Sequence, residues 1–439
     1  MADTLRVAVV SPDASGLAKS VVGEGIETVG FGVPFYPEGW GVALVREWVA
    51  DSLEMSLLSE SVDALVFEAD TPAELAGIIT AAVRLNLLTV CVAPPDSVFT
   101  AAIATLGFTP LGEKGSIAAT LREAEDERGL RARRMVDSFS LANALRVALV
   151  LGGGSEALVH LAAVGREAEV VGFPRMARVL APETPSVSSP GSGWYAKHGL
   201  PGVLAHLRDT LRDTRTVSGP LKSFASELEE TPAREFYCDF VRARTSGAEV
   251  MCRVPVGTEV ISGRCRIFDS EEAAVEGLSK LLEEAAEAGN VAGDDGADDS
   301  VGKDAAEEDN EKIIFVVRGC GTGGVPGLTV LDELAGSIAA LGLTERVPVL
   351  TDGLAPDGAP GSWATMFTPE AAAGGVIGRL TNDDLLKIDL EEGRILTSVN
   401  TEDLSRRRTF RKPSHKKLPA YARRYAKYNL PPAEGGSFS

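Results

Sequence analysis

Three residues with side chains suited to chemistry stand in or beside glycine-rich turns: Cys320, Asp352 and Asp357. Cys320 lies inside GCGTGG, residues 319–324, and a thiol at a helix N-terminus can become a reactive thiolate. No histidine is near it in sequence, so an inert buried thiol is at least as good a reading. Asp352 and Asp357 belong to LTDGLAPDGAPG, where they could act as metal ligands or as a general base. Asp followed by Gly is also ordinary turn chemistry, and that is the simpler account. A second run, GGGSEALVHL, places Ser155 at the start of a helix whose free amides could take an anion. Close packing of that helix on a neighbour explains the same glycines, and His160, in an apolar run, reads as a core histidine.

The turn glycines Gly319, Gly321 and Gly324 fit the spacing GxGxxG, with Gly323 beside them. A dinucleotide site would also place an acid about 20 residues further on. Ala339 stands there, and Asp352 lies too far along. A tight turn therefore accounts for the glycines better than a phosphate cradle does. With Gly353 and Ser155, these glycines mark two turns that could line a ligand pocket, since open α/β sheets place ligands beyond the carboxyl ends of strands.

The elements around the turns set their positions. LRVAVV, VGFGVPF, DALVFEA and LLTVCVA read as strands, separated by helical segments such as VREWVADSLEMSLL and PAELAGIITAAVRL. That alternation predicts a parallel, helix-flanked sheet. Thr71 or Asp70 caps the second of these helices, with Pro72 in its first turn. After Pro94 the pattern is helical. From about Ala233 short β-like runs take over, FYCDFVRA, GAEVMCRVP and TEVISGRCRIFD. The fold expected is α/β: a parallel-sheet domain over residues 1–231 and a β-rich domain over 232–439. The helix SEEAAVEGLSKLLEEAAEA leads into residues 289–311, an Asp/Gly/Ala/Glu segment with almost no large apolar side chains, predicted to be a disordered insertion.

Composition removes several function classes. The chain has 439 residues and 44% hydrophobic residues, enough for two cores. It has no apolar run of about 18 residues, so no membrane span is expected. MADTLRVAVV enters a strand without a basic segment, which makes the cytoplasm the default. Five cysteines without CxxC spacing argue against a disulfide framework and a structural zinc site. A net charge of −20 disfavours nucleic acid as a partner. The basic tail, residues 406–439, interleaves Phe410, Tyr421, Tyr425 and Tyr428 with positive charge. Docking on the protein's own acidic surface explains it more simply than strand binding.

GGGSEALVHLAAVGREAEV resembles the GGSTN…LHLLAIAREAGV segment of the dihydroxy-acid dehydratase and phosphogluconate dehydratase family. RIFDSEEAAVEGL, FVVRGCGTGGVPGL, VPVLTDG, FTPEAAAGGVIGRL, LLKIDLEEGRI and EDLSRRRTFRKP follow in that family's order. The resemblance implies an α/β domain followed by a β-rich swivelling domain, in a dimer. It also implies removal of water from a dihydroxy or sugar acid to give a 2-keto acid, in branched-chain amino acid biosynthesis for one branch of the family. An iron–sulfur cluster, Mg²⁺ and a serine base serve that reaction.

Set against the family pattern, Asp13 and Ala14 replace the first cluster cysteine, and Asp70 to Ala73 replace the second with its magnesium residues. The third cysteine is deleted between Pro95 and Thr100. Cys320 falls at a metal-binding glutamate, and Pro356 at the serine base. Clusters need thiolates, Mg²⁺ needs oxygen ligands, and proline is no base. The expectation is a hydro-lyase by descent that is impaired or non-catalytic, with no metal site, cluster or Mg²⁺. A small hydroxy acid is the ligand expected of its pocket, and pairing with itself or with a paralogue follows from the dimeric family. The alternatives are a cluster-independent lyase using Cys320, Asp352 or Asp357, and a regulatory partner subunit of an active dehydratase.

Overall fold

The computed structural model describes residues 4–112, 115–126, 130–187, 192–228, 232–243, 247–291, 312–325 and 327–438. The chain opens with β1 (Leu5–Val10), α1 (Ala14–Ser20), β2 (Ile26–Phe31), α2 (Val42–Glu60), β3 (Ala64–Phe67), α3 (Pro72–Leu85), β4 (Leu88–Cys91) and α4 (Val98–Leu106). The four strands form a parallel sheet in the order β2-β1-β3-β4. Strands β1, β3 and β4 are almost wholly buried, as a sheet covered on both faces requires. Thr71 is the cap of α3: its hydroxyl accepts the Glu74 amide while the Glu74 carboxylate accepts the Thr71 amide.

The helical stretch follows as expected: α5 (Ile117–Asp126), α6 (Ala132–Met135), α7 (Ser138–Val150), α8 (Ser155–Glu167), α9 (Phe173–Glu183) and α10 (Gly193–His206). A two-residue ribbon, β5 (Arg215–Thr216) with β6 (Gly219–Pro220), closes this part. The second sheet comprises β7 (Phe236–Arg242), β8 (Glu249–Pro255), β9 (Val260–Phe268), β10 (Ile313–Val317), β11 (Val349–Thr351), β12 (Trp363–Thr368), β13 (Leu385–Asp389) and β14 (Arg394–Thr397). Its order is β14-β13-β9-β10-β11-β12-β8-β7, with β9 to β12 parallel and the flanking pairs antiparallel.

Helices α11 (Glu271–Val291) and α12 (Asp332–Ala340) cover one face of this second sheet. The period of a strand decides which residues meet them. Phe315 and Val317 join Leu278, Leu334 and Ile338 on the helical face. Ile314 and Val316 join Val250, Cys252 and Ile388 on the other. The predicted acidic insertion begins within the end of α11, and its residues 292–311 lie outside the described residues.

The two sheets are joined by a shared core, in which Met251, Leu328, Leu354 and Met366 pack with the first domain. The C-terminal tail crosses this junction through α13 (Thr401–Arg406) and α14 (Ala420–Tyr428). Its charges make some of the expected acidic contacts, as in Arg407 Nη2 to Asp384 Oδ1 at 3.0 Å. Its aromatic rings do more of the docking. Tyr421 packs on Trp40 and Trp48, Phe438 packs on Tyr421 and Tyr425, and Tyr421 Oη donates to Asp51 Oδ2 at 2.7 Å. Arg46, fully buried on α2, donates to Gly435 O at 2.6 Å and to Ser437 Oγ at 3.3 Å. Tyr425 is fully buried, with its hydroxyl donating to Gly436 O.

Tyr425→Ala should therefore cost about 3 kcal/mol of stability, the range for deleting a buried aromatic ring. Urea unfolding measures that loss, and trypsin should cut the released tail near Arg423 and Arg424 in the variant before it does so in the parent.

Candidate functional site

The first glycine turn is not at a helix N-terminus. The helix that follows begins only at Asp332: Leu328 has a left-handed backbone, with φ at 72°, and Val330 bridges Leu354. Two carboxylates of the protein itself occupy the amides of the turn. Asp352, fully buried at the end of β11, accepts from the amides of Cys320 at 2.9 Å, Gly319 at 3.2 Å and Ala371 at 2.9 Å. Glu370 accepts from the Thr322 amide and hydroxyl, at 3.0 and 2.6 Å, and from the Gly323 amide at 3.0 Å. A Cβ on Gly321 would stand 2.4 Å from Glu370 Cδ, so glycine there is what lets the carboxylate approach. The cradle that a nucleotide phosphate would need is filled from within, in keeping with the tight turn that the sequence favours at residues 319–324.

Burial and the charge of Glu370 push the Asp352 carboxyl up to about 6, against the three amides that favour its ionised form. Cys320 is buried, and desolvation and then Asp352 hold its thiol well above the ordinary value. Of its two readings the structure supports the inert thiol, since the nucleophile is the thiolate. Its contacts are those of the apolar cluster with Phe315, Leu331 and Ala355.

The second glycine turn, in the first domain, meets a loop of the second domain directly. Ser155 Oγ accepts from the Ala355 amide at 3.0 Å, and the Gly154 amide donates to Asp357 Oδ1 at 2.8 Å. Gly358 N donates to Gly152 O at 2.9 Å. The glycines at residues 152–154 thus serve a loop from the second domain, and the anion taken at the start of α8 is Asp357 itself. The structure groups Ser155 with Asp357, and Cys320 with Asp352; Gly353 joins the two groups along one loop, its position leaving no room for a Cβ beside Cys320.

Between the domains, beside Asp357, lies a cleft of about 460 Å³ whose lining includes Pro72, Asp96, Glu156, Asp332, Pro356 and Asp357. Glu156, from the first turn of α8, was not singled out by sequence; its place directly after Ser155 was the available signal. Burial first, then mutual repulsion with neighbouring carboxylates, raises Glu156 and Asp357 each to about 7. Arg253, buried behind the loop, opposes this at Asp357; its guanidinium donates to Ala359 O and stacks on Phe236. Behind Glu156, His160 is fully buried as expected, with Nε2 3.7 Å from Glu156 Oε1 and Nδ1 3.3 Å from Arg46 Nη1.

Asp13 caps α1 at an exposed site, and Thr71 is spent on its capping box. Cys91, Cys238, Cys252, Cys265 and Cys320 are all buried on separate elements or turns, and burial raises every one of these thiols. Among the described residues no three His, Cys, Asp or Glu side chains converge as metal ligands. The five thiols, each buried on its own element or turn, do not fit an iron–sulfur cluster.

A parallel-sheet domain joined to a mixed β domain defines a two-domain α/β protein with a carboxyl-lined cleft at the domain junction. Residues 245–436 match the family model for the dihydroxy-acid/6-phosphogluconate dehydratase C-terminal region. Curated proteins named dihydroxy-acid dehydratase are similar to it over about two thirds of its length. The one from Geotalea daltonii is 30% identical over 320 residues, covering 67% of this chain and 53% of that protein. Those from Syntrophotalea carbinolica and Pyrococcus furiosus are each 28% identical, covering 68% of this chain and 53% and 54% of their own. The chain belongs to the dihydroxy-acid dehydratase family and is of hydro-lyase descent. It spans about half the length of the curated relatives it matches. Among the described residues no helix is long and apolar enough to cross a membrane.

The raised carboxyls make a stability prediction with a definite sign. A carboxyl whose folded pKa lies above its unfolded value binds more protons when folded between the two values. Stability therefore falls as pH rises from about 4.5 to about 7, and the penalty is complete above that. Glu156→Gln removes it, so the variant should melt higher than the parent at pH 8, by the equivalent of roughly 1–3 kcal/mol, and close to it at pH 5. Calorimetric melting at both pH values checks this.

Proposed function

We propose that this chain keeps the dehydratase architecture while lacking the family's cluster-dependent elimination, and acts as an impaired or non-catalytic member with a ligand-binding cleft. One observation carries this reading. Pro72 and Pro356, which stand where the resemblance puts magnesium-site residues and the serine base, both line the interdomain cleft. The cysteines lie in the cores instead. Neither proline side chain can ligate a metal or take a proton, and loss of charge stabilisation at the leaving group removes the largest contribution such sites make. A role as partner to a second copy or to an active paralogue belongs to the same reading, in keeping with the retained fold.

The second reading, a cluster-independent lyase, is favoured by Glu156 and Asp357. Two carboxyls that compete for protons near neutrality can divide the roles of acid and base. In an elimination the ionised member would take the proton next to the carboxylate carbon while the protonated member gives its proton to the departing hydroxyl. Asp352 and Cys320 have no part in this version, being sealed in the turn of residues 319–323.

Protein purified without oxygen should contain iron and sulfide far below one cluster per chain, show no visible cluster absorption, and form no 2-keto acid from 2,3-dihydroxy acids. A stoichiometric cluster would overturn the first reading. Keto-acid formation without a cluster, abolished by Asp357→Asn, would establish the second in its place.

A further inference from the structure

We infer that the C-terminal segment, residues 408–428, is a docking surface for single-stranded nucleic acid, its cations taking the phosphates and the exposed rings of Phe35 and Tyr428 taking bases. Residues 405–433 contain no Asp or Glu. Of the cations there, Arg406 pairs with Glu402 and Arg407 with Asp384, and no other forms an ion pair among the described residues. Arg408, Arg411, Lys416 and Lys417 are exposed along the stretch before α14, and Arg423, Arg424 and Lys427 are exposed on α14 itself. Other groups hold the segment in place: Phe410 packs on Gly319, His415 Nε2 lies 3.2 Å from Gly323 O, and Tyr421 and Tyr425 anchor α14. The positive charge is therefore carried on a fixed backbone and is not neutralised by the docking that fixes it. A net charge of −20 argues against nucleic acid for the chain as a whole. Screening limits the reach of that charge to about 8 Å at physiological ionic strength. The carboxylates bordering the segment are themselves engaged, Asp51 by Tyr421 and Arg84, and Asp384 by Arg407.

Two rings decide which polyanion suits this surface. Phe35 is 89% exposed; its carbonyl accepts from Trp48 Nε1 at 3.0 Å, and Trp48 packs edge-on against Tyr421 at the start of α14. Tyr428, at the end of α14, is 48% exposed, with Lys427 Nζ 4.9 Å from its ring centroid. The helix separates Tyr421 from Tyr428 by about 10 Å, with Arg423, Arg424 and Lys427 between them. Sites for single strands combine such a basic track with rings on which bases stack. An acidic peptide brings charge without a planar partner for the rings. A bilayer surface calls for an apolar helix face, and that of α14, formed by Ala422, Tyr425 and Ala426, is turned into the protein.

Fluorescence anisotropy of a labelled oligouridylate of about 12 nucleotides, titrated with the full chain, tests this. Binding should saturate at about 50 mM salt and weaken as salt rises, with a slope of log affinity on log salt near about −4 for about six neutralised phosphates. Arg423→Gln combined with Arg424→Gln should lower the magnitude of that slope by about 1.4, at about 0.7 per phosphate. Phe35→Ala and Tyr428→Ala should each weaken binding about fivefold or more while leaving the slope unchanged. Lys19→Gln, on α1, should change neither quantity. The inference is overturned if the strand gives no anisotropy change at about 50 mM salt, or if oligoglutamate or phosphatidylserine vesicles of equal charge bind as well as the strand. It is overturned equally if both ring variants bind undiminished, or if Lys19→Gln lowers the slope as much as the arginine pair does. Should a variant fail to fold by circular dichroism, the parent decides: a salt slope near zero, or oligoglutamate binding equal to that of the strand, overturns the inference.

Discussion

The structure depends on a buried carboxylate, Asp352, that satisfies amides from two turns at once. It holds the turn after β10 through Gly319 and Cys320, and the segment after β12 through Ala371. Without it, three inward-facing amides would be left unpaired in a region sealed from water, each a loss comparable to a broken hydrogen bond. Glu370 does the same for Thr322 and Gly323 from the same segment. The carboxyl ends of three neighbouring strands are thereby locked together, and the loop running from Asp352 to Gly358 is delivered to the first domain in one conformation.

That delivery makes the interdomain cleft. Asp357 reaches the Gly154 amide, Ser155 receives the Ala355 amide, and Glu156 is left facing the space between. Behind this wall a line of charged and polar groups runs through His160 and Arg46 to Glu47 and Arg84, and Arg46 is also the anchor of the C-terminal segment. Buried ionic groups contribute little net stability, but breaking one member of such a set leaves the others unpaired. The cleft, the histidine and the tail are therefore coupled by shared hydrogen-bond partners, although they lie far apart in sequence.

Much of the architecture was legible from sequence because it follows from local pattern. Alternating apolar strands and capped helices give the parallel sheet, and the capping residue Thr71 is found where its chemistry predicts. The change to short β runs near Ala233 precedes β7 by a few residues. The candidate site was legible only in part. Asp357 and Ser155 were visible as individual residues, but their meeting across about 200 positions of chain is not encoded by any spacing. Glu370 and Glu156 lie inside the segments FTPEAAAGGVIGRL and GGGSEALVHL, but nothing in their spacing set them apart from neighbouring residues. The GxGxxG fingerprint reports only a turn's need for small residues, and Glu370 needs Gly321 for the same reason a phosphate would.

The sequence by itself determined the two sheets and the helices between them, since each depends on residue identity or on periods of a few positions. Tertiary structure alone decided where the carboxyls went. Two of them fill the first turn and make it structural, while Glu156 and Asp357 are brought together at the domain junction. The physical reason is that a carboxylate's role is set by the donors, charges and water around it, and those come from segments that meet only when the chain has folded.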